Sequence, residues 1–411
     1  MEQVKDTGTG AAPPSYVFAA RNAVAVVFAL NGLAVASWFS RVPAVRAALG
    51  LSAGELGLVL LAMSSGALLA LTTAGLVTHR LGAARTVVAA HLLIAFGLFG
   101  GGLAAEVVGT VPGVAVGLFA AGLGAGTSEV AFNVEAATVE RRLGRTIMPR
   151  FHAAWSIGSV TGAGLGAGAA SLGLSLVAHL GVVAALVVAG TLPAVRRFLP
   201  AAAHASGAGR RTGRLRDAWR EPRTLLVGLL VLVLAFTEGS ANDWLAVAFV
   251  DGHDFGEAAG AAVFGLFVVG MTVGRLAGTP LLDRWGRVPV LLATIGVAIV
   301  GSLTAVLASG PLAVAGAVLW GLGASLGFPV GMSAAADEEE HAAARVSVVA
   351  AIGYTSFLAG PPLIGLLGDH VGTLRALLVV PLLLLPTLAL VPATRPPAAR
   401  PSARPTPAKT G

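Results

Sequence analysis

Charge is the scarcest property of this sequence, because only 11% of its 411 residues are Asp, Glu, Lys or Arg. A water-soluble domain carries about 25% charged residues, so this chain has too little charge to cover an aqueous surface. Its hydrophobic fraction is 56% and its mean hydropathy is +0.84. The composition therefore predicts a protein whose main solvent is lipid.

Cysteine is absent, which excludes a disulfide framework, a thiolate metal site and thiol redox chemistry. The only lysines are Lys5 and Lys409, and no Gly-x-x-x-x-Gly-Lys-Ser/Thr loop occurs, which argues against an ATP-driven pump. No nucleophile with a nearby base and no metal-ligand cluster is visible, so we expect no enzymatic activity, no cofactor and no metal. A membrane sensor is disfavoured because we expect no soluble output domain.

Apolar stretches long enough to cross a bilayer recur along the whole chain. Each membrane-spanning helix needs roughly 20 apolar residues. The stretches lie at residues 16–39, 56–78, 86–105, 112–136, 151–170, 174–195, 224–250, 258–282, 288–309, 311–335, 346–367 and 372–392. We predict an all-α membrane protein of about twelve transmembrane helices embedded in the lipid bilayer.

Arginines are concentrated in alternate loops between these stretches. With the polar start of the chain placed in the cytoplasm, the opposite side receives only Arg41, Arg46 and Arg375. The cytoplasmic loops then hold Arg80, Arg85, Arg141, Arg142, Arg145, Arg150, Arg196, Arg197, Arg284, Arg287 and Arg345. The positive-inside rule therefore predicts cytoplasmic termini in a bacterial inner membrane, and it accounts for the net charge of +7 without a nucleic-acid partner.

A long polar segment divides the chain near its middle. Residues 196–223 contain Pro200 and a run of arginines. We predict an N-terminal six-helix half over residues 1–195, a cytoplasmic linker over 196–223, and a C-terminal six-helix half over 224–392. The Pro- and Arg-rich tail, 393–411, is expected to be disordered and to lie near anionic headgroups. We expect the chain to act as a monomer.

The two predicted halves repeat one another at an offset of about 200 residues. Gly122-Leu123-Gly124-Ala125 in the fourth stretch corresponds to Gly321-Leu322-Gly323-Ala324 in the tenth. Asn31-Gly32 in the first stretch corresponds to Glu238-Gly239 in the seventh. A duplicated six-helix unit is the simplest account, and two pseudo-symmetric halves in parallel orientation are a known transporter architecture.

Two short loops after the second and eighth stretches share a pattern. One contains His79, Arg80 and Gly82, and the other contains Asp283, Arg284, Gly286 and Arg287. The second loop resembles the cytoplasmic signature of the major facilitator superfamily, in which an acid, an arginine and a glycine turn join consecutive helices. The first departs from it, since His79 replaces the acid. In that superfamily the motif loop of each half reaches a helix of the other half, so the resemblance implies that Asp283 lies near residues 149–151 and His79 near 345–347. The N-terminus of a helix favours a carboxylate and disfavours a positive charge, so we expect His79 to be mainly neutral.

The fourth and fifth stretches extend this resemblance. The segments 126–133, 139–142 and 151–158 look like the fourth-to-fifth helix region of fucose permease-like transporters. The resemblance covers most of residues 30–370 and implies a secondary active transporter of a small solute. Such a protein rocks two halves around a midplane site, and we expect proton coupling in the form of symport. A drug or metabolite exporter of the same fold is the alternative.

Glu129, Glu238 and Asp243 stand well inside predicted membrane helices. A charge at mid-membrane costs about 2.5–3.5 kcal/mol on insertion scales, so each carboxylate needs a reason to be there. Glu129 and Asn133 share one helix face, as do Glu238 and Asn242. We expect both faces to meet at a central cavity and to bind substrate or a proton; a structural pair or a position at the aqueous rim is the alternative. Asp243 lies about 140° from Glu238 around an ideal helix and should line a different surface.

Other polar residues admit two interpretations each. Arg41 is either an interfacial anchor or an anion-attracting group at the cavity mouth, and Asn31 joins the candidate set through its place in the repeat. Arg275 is expected to snorkel or to pair with Asp283. His152 is expected to be a cytoplasmic cap or headgroup contact, with a proton relay as the alternative.

Small residues and prolines predict two features of helix packing. Gly158, Gly162 and Gly166 recur every fourth position in the fifth stretch, which indicates close contact with a neighbouring helix. The sequence Gly360-Pro361-Pro362 predicts a local break in the eleventh helix.

Overall fold

The computed structural model describes residues 14–144, 147–200, 215–338 and 341–396. Half of the predicted linker, residues 201–214, and the predicted tail from residue 397 onward lie outside these described residues. Over the described ranges the chain is helical throughout, with short turns between helices and no strand.

Twelve long segments, numbered α1 to α12, form the fold of the described residues. They are α1 Ser15–Phe39, α2 Ala53–Leu81, α3 Ala83–Leu103, α4 Val111–Leu143, α5 Met148–Ser171, α6 Leu176–Val195, α7 Pro222–Gly252, α8 Glu257–Trp285, α9 Arg287–Leu307, α10 Gly310–Ala324 with Gly327–Ala335, α11 Ala342–Val371, and α12, which comprises Thr373–Ala376, Val379–Thr387 and the 3-10 helix Leu388–Thr394. Shorter elements are the helices Val42–Leu49 and Leu215–Ala218 and the π-helical turn Ala104–Val108.

Within the described ranges, eleven segments are long and apolar enough to cross a membrane. The remaining segment, α5, has 24 residues and would be about 36 Å long, which is also sufficient. Its polar residues and glycines lower its hydropathy, and it packs against α1 and α8 inside the bundle. The prediction of an all-α membrane protein with about twelve helices in two six-helix halves is confirmed.

Local sequence signals set the helix ends. Ser52 and Glu55 form a capping box at the start of α2, in which the Glu55 N–H donates to the Ser52 hydroxyl and the Ser52 N–H donates to the Glu55 carboxylate. Gly82 joins α2 to α3 at φ 79°, and Gly286 joins α8 to α9 at φ 77°. A side chain is strained at such angles, so both motif loops need their glycine to turn the chain.

One predicted helix break is wrong, and another was missed. Helix α11 runs through Pro361 and Pro362 without interruption. The Pro361 backbone lies against Gly57 of α2, and close packing of this kind lets a transmembrane helix tolerate proline. The interruption instead occurs in α10, at Ser325 and Leu326.

The glycine face of α5 packs against α1, as the four-residue spacing predicted. A Cβ atom on Gly158 would meet the backbone of Ala29, and one on Gly162 would meet the backbone of Leu33. The two helix backbones are therefore in direct contact.

Two helix pairs make the main contacts between the halves: α2 with α11, and α5 with α8. In the six-helix repeat α2 corresponds to α8 and α5 corresponds to α11, so the two pairs are equivalent to each other. The interface between the halves therefore has the same pseudo-two-fold symmetry as the sequence.

The helix ends lie alternately on two sides of the bundle. We call the side that carries residues 14 and 396 the terminal side and the opposite side the distal side. Arg223 at the start of α7 donates to the Ala393 carbonyl at the end of α12, at 3.1 Å. Pro149 at the start of α5 and Pro396 line the same opening. Both halves therefore begin and end on the terminal side.

Candidate functional site

A cavity of about 1110 Å³ lies between the two halves. Its walls come from α1, α2, α4 and α5 of the N-terminal half and from α7, α8, α10 and α11 of the C-terminal half. A cleft of this size, with mainly apolar walls and a few polar groups, is typical of a small-molecule site.

The cavity opens to the terminal side and is closed on the distal side. Pro149, Asp283 and Ser333 line its terminal end. Toward the distal side, the rings of Phe39 and Phe264 meet edge to face with centroids 6.2 Å apart. These two rings come from opposite halves, so they close the cavity floor.

Glu129 and Glu238 both line the cavity, from opposite halves. The side chain of Glu129 on α4 is exposed to the cavity, whereas the side chain of Glu238 on α7 is 16% exposed. Asn242 follows Glu238 by one helical turn and lines the same wall. The structure thus brings together the two carboxylates that the sequence placed in separate halves.

Glu238 is paired with Arg275, which sequence interpretation assigned to a different partner. The Arg275 guanidinium donates to the Glu238 carboxylate at 3.0 Å and lies 5.7 Å over the ring of Trp155 in α5. The expectation that Arg275 snorkels or pairs with Asp283 is therefore wrong. Inside the bundle an arginine gains more from a nearby carboxylate than from one two turns closer to solvent.

Asp243 also lines the cavity. The expectation that it faces a different surface from Glu238 is therefore wrong. Asp243 lies one helical turn after Gly239, which also lines the cavity, and the cavity is wide enough to contact the sides of α7 that carry Glu238 and Asp243. Throughout the described ranges, neither Glu129 nor Asp243 forms an ion pair with a basic residue.

Among Asn31, Asn133 and Arg41, Asn31 alone lines the cavity. Asn31 is 4% exposed, and its Oδ1 accepts no hydrogen bond from the described part of the protein. Asn133 lies outside the lining, because its amide donates to the Glu129 backbone carbonyl at 2.8 Å. Arg41 is also outside: it is buried on the distal side, where it donates to the Leu174 carbonyl at 3.0 Å. With the distal side closed, Arg41 contacts neither the cavity nor the surface, so both interpretations of Arg41 stay predictions.

Sequence interpretation missed an aromatic and polar stripe on α5. His152, Trp155, Ser156 and Ser159 all line the cavity. Their spacing of three, four and seven residues puts them on one helix face, so this signal could have been found. His152 contacts the edge of Phe28, with ring centroids 5.4 Å apart, rather than capping the helix toward solvent.

Tyr354 on α11 is a second missed contributor. It lines the cavity between Phe328 and Phe357, at centroid distances of 5.9 and 6.0 Å. The C-terminal half therefore presents an aromatic wall opposite the N-terminal carboxylate.

The motif loops lie on the terminal side, at the open end. His79, Arg80, Asp283 and Arg284 are exposed, and Arg284 lies 5.5 Å over the ring of Trp285. Asp283 and Pro149 both line the cavity mouth, but in the described chain Asp283 forms no hydrogen bond to the start of α5. Its placement against α5, and that of His79 against α11, stay predictions.

Arg287 of the second motif belongs to a group of ion pairs. Asp337 accepts from Arg287 and from Arg223, each at 2.7 Å, and Arg287 also donates to Ser333 at 2.9 Å. The Asp337 carboxylate is therefore held by two arginines. These bonds tie the starts of α7 and α9 to the end of α10 beside the cavity mouth.

Comparison with known proteins agrees with this architecture. Residues 24–337 and 242–410 match the model of the Major Facilitator Superfamily. The chain is 33% identical over 350 residues to an uncharacterized transporter, y4wD, of Sinorhizobium fredii. That alignment covers 84% of this chain and 90% of the relative. It is 28% identical over 368 residues to membrane protein MosC of Rhizobium meliloti, which covers 87% and 86% respectively.

Several solved structures share the fold. The nucleoside transporter NupG superimposes with a TM-score of 0.72 at 16% identity, covering 92% of this chain and 99% of that chain. A bacterial homologue of the human lysosomal transporter Spinster, in an inward-facing and occupied conformation, gives 0.67 at 14% identity and covers 91% and 95%. The Escherichia coli fucose:proton symporter FucP gives 0.61 at 17% identity and covers 93% and 100%.

Proposed function

This chain belongs to the Major Facilitator Superfamily, and we propose that it carries a small neutral or positively charged solute across the membrane by proton-coupled secondary active transport. The observation that carries the proposal is the position of Glu129. This carboxylate lines the cavity between the two halves, is exposed to it, and has no ion-pair partner within the described chain.

The charges around the cavity support the sign of the solute. Both arginines that line the cavity are paired, Arg275 with Glu238 and Arg287 with Asp337. Glu129 and Asp243 are left without positive neighbours in the part of the chain that the structure describes. A low-dielectric cleft lined by charge of one sign concentrates counter-ions and repels ions of its own sign. An anionic solute is therefore disfavoured.

The excess of unpaired carboxylates over unpaired arginines in the cavity also supports proton coupling. When a transporter changes the side to which its cavity opens, the cavity is closed at both ends, and an isolated ionised carboxylate there is costly. Protonation of Glu129 removes that charge, and hydroxyl and amide groups can bind either protonation state. Glu238 is less suited to this role, because Arg275 already neutralises it. Asp243 is the second candidate for the proton.

The helix arrangement supports alternating access. The halves meet mainly through the equivalent pairs α2–α11 and α5–α8, so a rocking motion can open one side while it closes the other. We assign the terminal side to the cytoplasm because most loop arginines lie there. With that assignment the cavity faces inward, in line with the likeness to the inward-facing Spinster homologue.

The lining suggests a ring-shaped polar solute. Asn31, Asn242 and the carboxylates can bind hydroxyl or amino groups, while Trp155 and Tyr354 offer apolar faces. The names of two structural neighbours, a nucleoside transporter and a fucose:proton symporter, fit this class and favour symport. Export of a drug or metabolite is the second candidate, supported by the aromatic rings of Phe28, Phe39 and Phe264 in the same walls.

The proposed topology can be tested with single cysteines, since the chain has no cysteine of its own. We expect Gly256→Cys, on the distal side with open space around it, to react with an impermeant maleimide in intact cells. Ser206→Cys, in the predicted linker, should react only in inside-out vesicles. Labelling of Ser206→Cys in intact cells would refute the topology.

Transport itself can be tested by proton flux. Purified protein in liposomes containing a pH-sensitive dye is given a panel of solutes: a nucleoside, a 6-deoxyhexose, a cyclic polyol, an organic amine and a sugar acid. We expect a neutral or cationic solute to drive proton movement and the sugar acid to drive none. A proton response to the sugar acid alone would contradict the charge argument.

A further inference from the structure

Asp251 joins three distal segments across the two halves. It lies at the end of α7 and forms an ion pair with Arg46 of the short helix Val42–Leu49, which belongs to the N-terminal half. The Thr373 hydroxyl at the start of α12 donates to the same carboxylate oxygen at 2.9 Å. The Asp251 carboxylate therefore binds Thr373 of its own half and Arg46 of the other half.

Asp369 makes a second contact across the halves. It lies near the end of α11, and its carboxylate accepts a hydrogen bond of 3.0 Å from the Gly54 N–H in the first turn of α2. The Ser52 hydroxyl, at the N-cap of α2, approaches the same oxygen at 3.4 Å. A carboxylate bound at a helix N-terminus gains both a charge-assisted hydrogen bond and a favourable interaction with the helix dipole.

Glycines bring the two backbones together at this point. A Cβ atom on Gly57 would lie 2.6 Å from the Pro361 carbonyl oxygen, and one on Gly365 would lie 2.5 Å from the Ala53 carbonyl oxygen. Both contacts join α2 to α11 on the distal side of the cavity. The halves cannot separate there without exposing this surface and breaking the Asp369 bonds.

We propose that Asp251 and Asp369 are the latches of the distal gate, the bonds between the halves that break each time the cavity opens to the distal side. The proposal rests on the alternating-access function proposed above. Neither latch residue lines the cavity, so they set the balance between the two conformations without touching the solute.

The chemistry of the latches suits a gate that must open repeatedly. The N-terminal half supplies the donors, Arg46 and the start of α2, and the C-terminal half supplies both carboxylates. The side chains of Arg46 and Asp251 are 22% and 34% exposed, so water can replace this ion pair at modest cost. The latches therefore favour the closed distal side but can be broken at a modest cost in free energy.

The natural absence of cysteine gives a direct test that needs no solute. Ser64→Cys places one thiol on α2 in the cavity wall, and an impermeant maleimide is applied from each side of oriented vesicles. The side from which Gly256→Cys reacts is the distal side. In this background Asp369→Asn should raise distal-side labelling of Ser64→Cys roughly tenfold, since charge-assisted bonds are about twice as strong as neutral ones. Asp251→Asn should raise it less, because that pair is more exposed.

Matched variants separate gating from misfolding. Glu55→Gln alters the same N-terminus of α2 but keeps its capping box and touches no residue of the other half, so labelling should stay at the starting rate. Gly365→Ala should raise distal-side labelling by wedging α11 from α2, even if Asp369→Asn fails to fold.

Two outcomes distinguish the latches from the proposed function. If the folded variants at residues 369, 251 and 365 all label at the starting rate, the latch proposal is overturned, whatever the protein transports. If labelling rises as expected but no solute moves, the latches stand and the proposed function fails.

Discussion

Arg275 of α8 lies 3.0 Å from the carboxylate of Glu238 in α7 while its guanidinium lies over Trp155 of α5. One arginine thus neutralises a carboxylate of its own half and contacts an aromatic ring of the other half. Glu129 faces the same cavity without an ion-pair partner in the described chain. Because of this difference we propose that Glu129 exchanges a proton, whereas Glu238 stabilises the packing of the helices through its ion pair with Arg275.

Removing Arg275 should leave Glu238 as an uncompensated charge. Breaking a fully buried pair costs about 3–5 kcal/mol, and the side chains here are 28% and 16% exposed, so we expect Arg275→Ala to lower the free energy of unfolding by about 2 kcal/mol. The double variant with Glu238→Gln should recover part of this loss. Thermal unfolding of the four proteins in detergent measures the coupling; strictly additive effects would show that the pair contributes nothing.

The α1–α5 contact should tolerate no added side chain. Gly162→Ala places a methyl group against the Leu33 backbone, and overpacking of this kind costs about 1–3 kcal/mol. Gly164→Ala, two residues away on the same helix, meets open space and is the matched control. We expect Gly162→Ala to lower the unfolding temperature. Gly164→Ala should leave the unfolding temperature unchanged or raise it slightly. Equal changes in the two variants would refute the close contact.

Glu221, just before α7, should stabilise the fold in a pH-dependent way. Partial burial on its own raises the pKa of Glu221, but hydrogen bonds from Thr224 at 2.7 Å and Arg345 at 2.6 Å, together with the arginine charges, outweigh it and hold this pKa below its ordinary value. A depressed carboxyl pKa gives stability that is present above the unfolded-state pKa, about 4.3, and is lost as pH falls through the folded-state pKa.

Glu221→Gln should therefore lower the unfolding temperature at pH 7 and have a progressively smaller effect below about pH 4. The exposed Asp217, whose side chain forms no hydrogen bond in the described ranges, supplies the control variant Asp217→Asn. An effect of Glu221→Gln that is constant from pH 7 to pH 3 would contradict the linkage.

The fold was largely predictable, because lipid imposes a simple rule on sequence. Apolar runs of about 20 residues mark spanning helices, and the predicted stretch 16–39 differs from the helix Ser15–Phe39 by one residue. Helix ends that extend into polar loops were harder, as with 112–136 against Val111–Leu143. A hydropathy pattern marks only the apolar part of a helix, so it misses the polar turns that continue beyond the membrane.

The candidate site was predictable only in part. Intramembrane carboxylates are costly and therefore conspicuous, which is why Glu129 and Glu238 were found. The partner of Glu238 was not, since Arg275 is 37 residues away on the next helix and only the packing of α7 against α8 decides the pairing. Asn133 was included in error, because a helix face alone does not show whether an amide bonds back to its own backbone.

Contacts between the halves were the least predictable. Asp369 and Gly54 are 315 residues apart, and no local pattern connects them. Their pairing depends on which conformation of the bundle is populated, and that depends on many weak contacts distributed over both interfaces.

The central claim is that Glu129 exchanges a proton during transport, and accumulation of solute in liposomes under an imposed pH gradient tests it most directly. Labelled members of the solute panel are offered to liposomes containing the starting protein, Glu129→Gln or Glu238→Gln, with and without the gradient. We predict that the starting protein accumulates a neutral or cationic solute only with the gradient, and that Glu129→Gln loses this accumulation but still exchanges labelled for unlabelled solute. Accumulation by Glu129→Gln against the solute gradient, with unchanged pH dependence, would contradict the account.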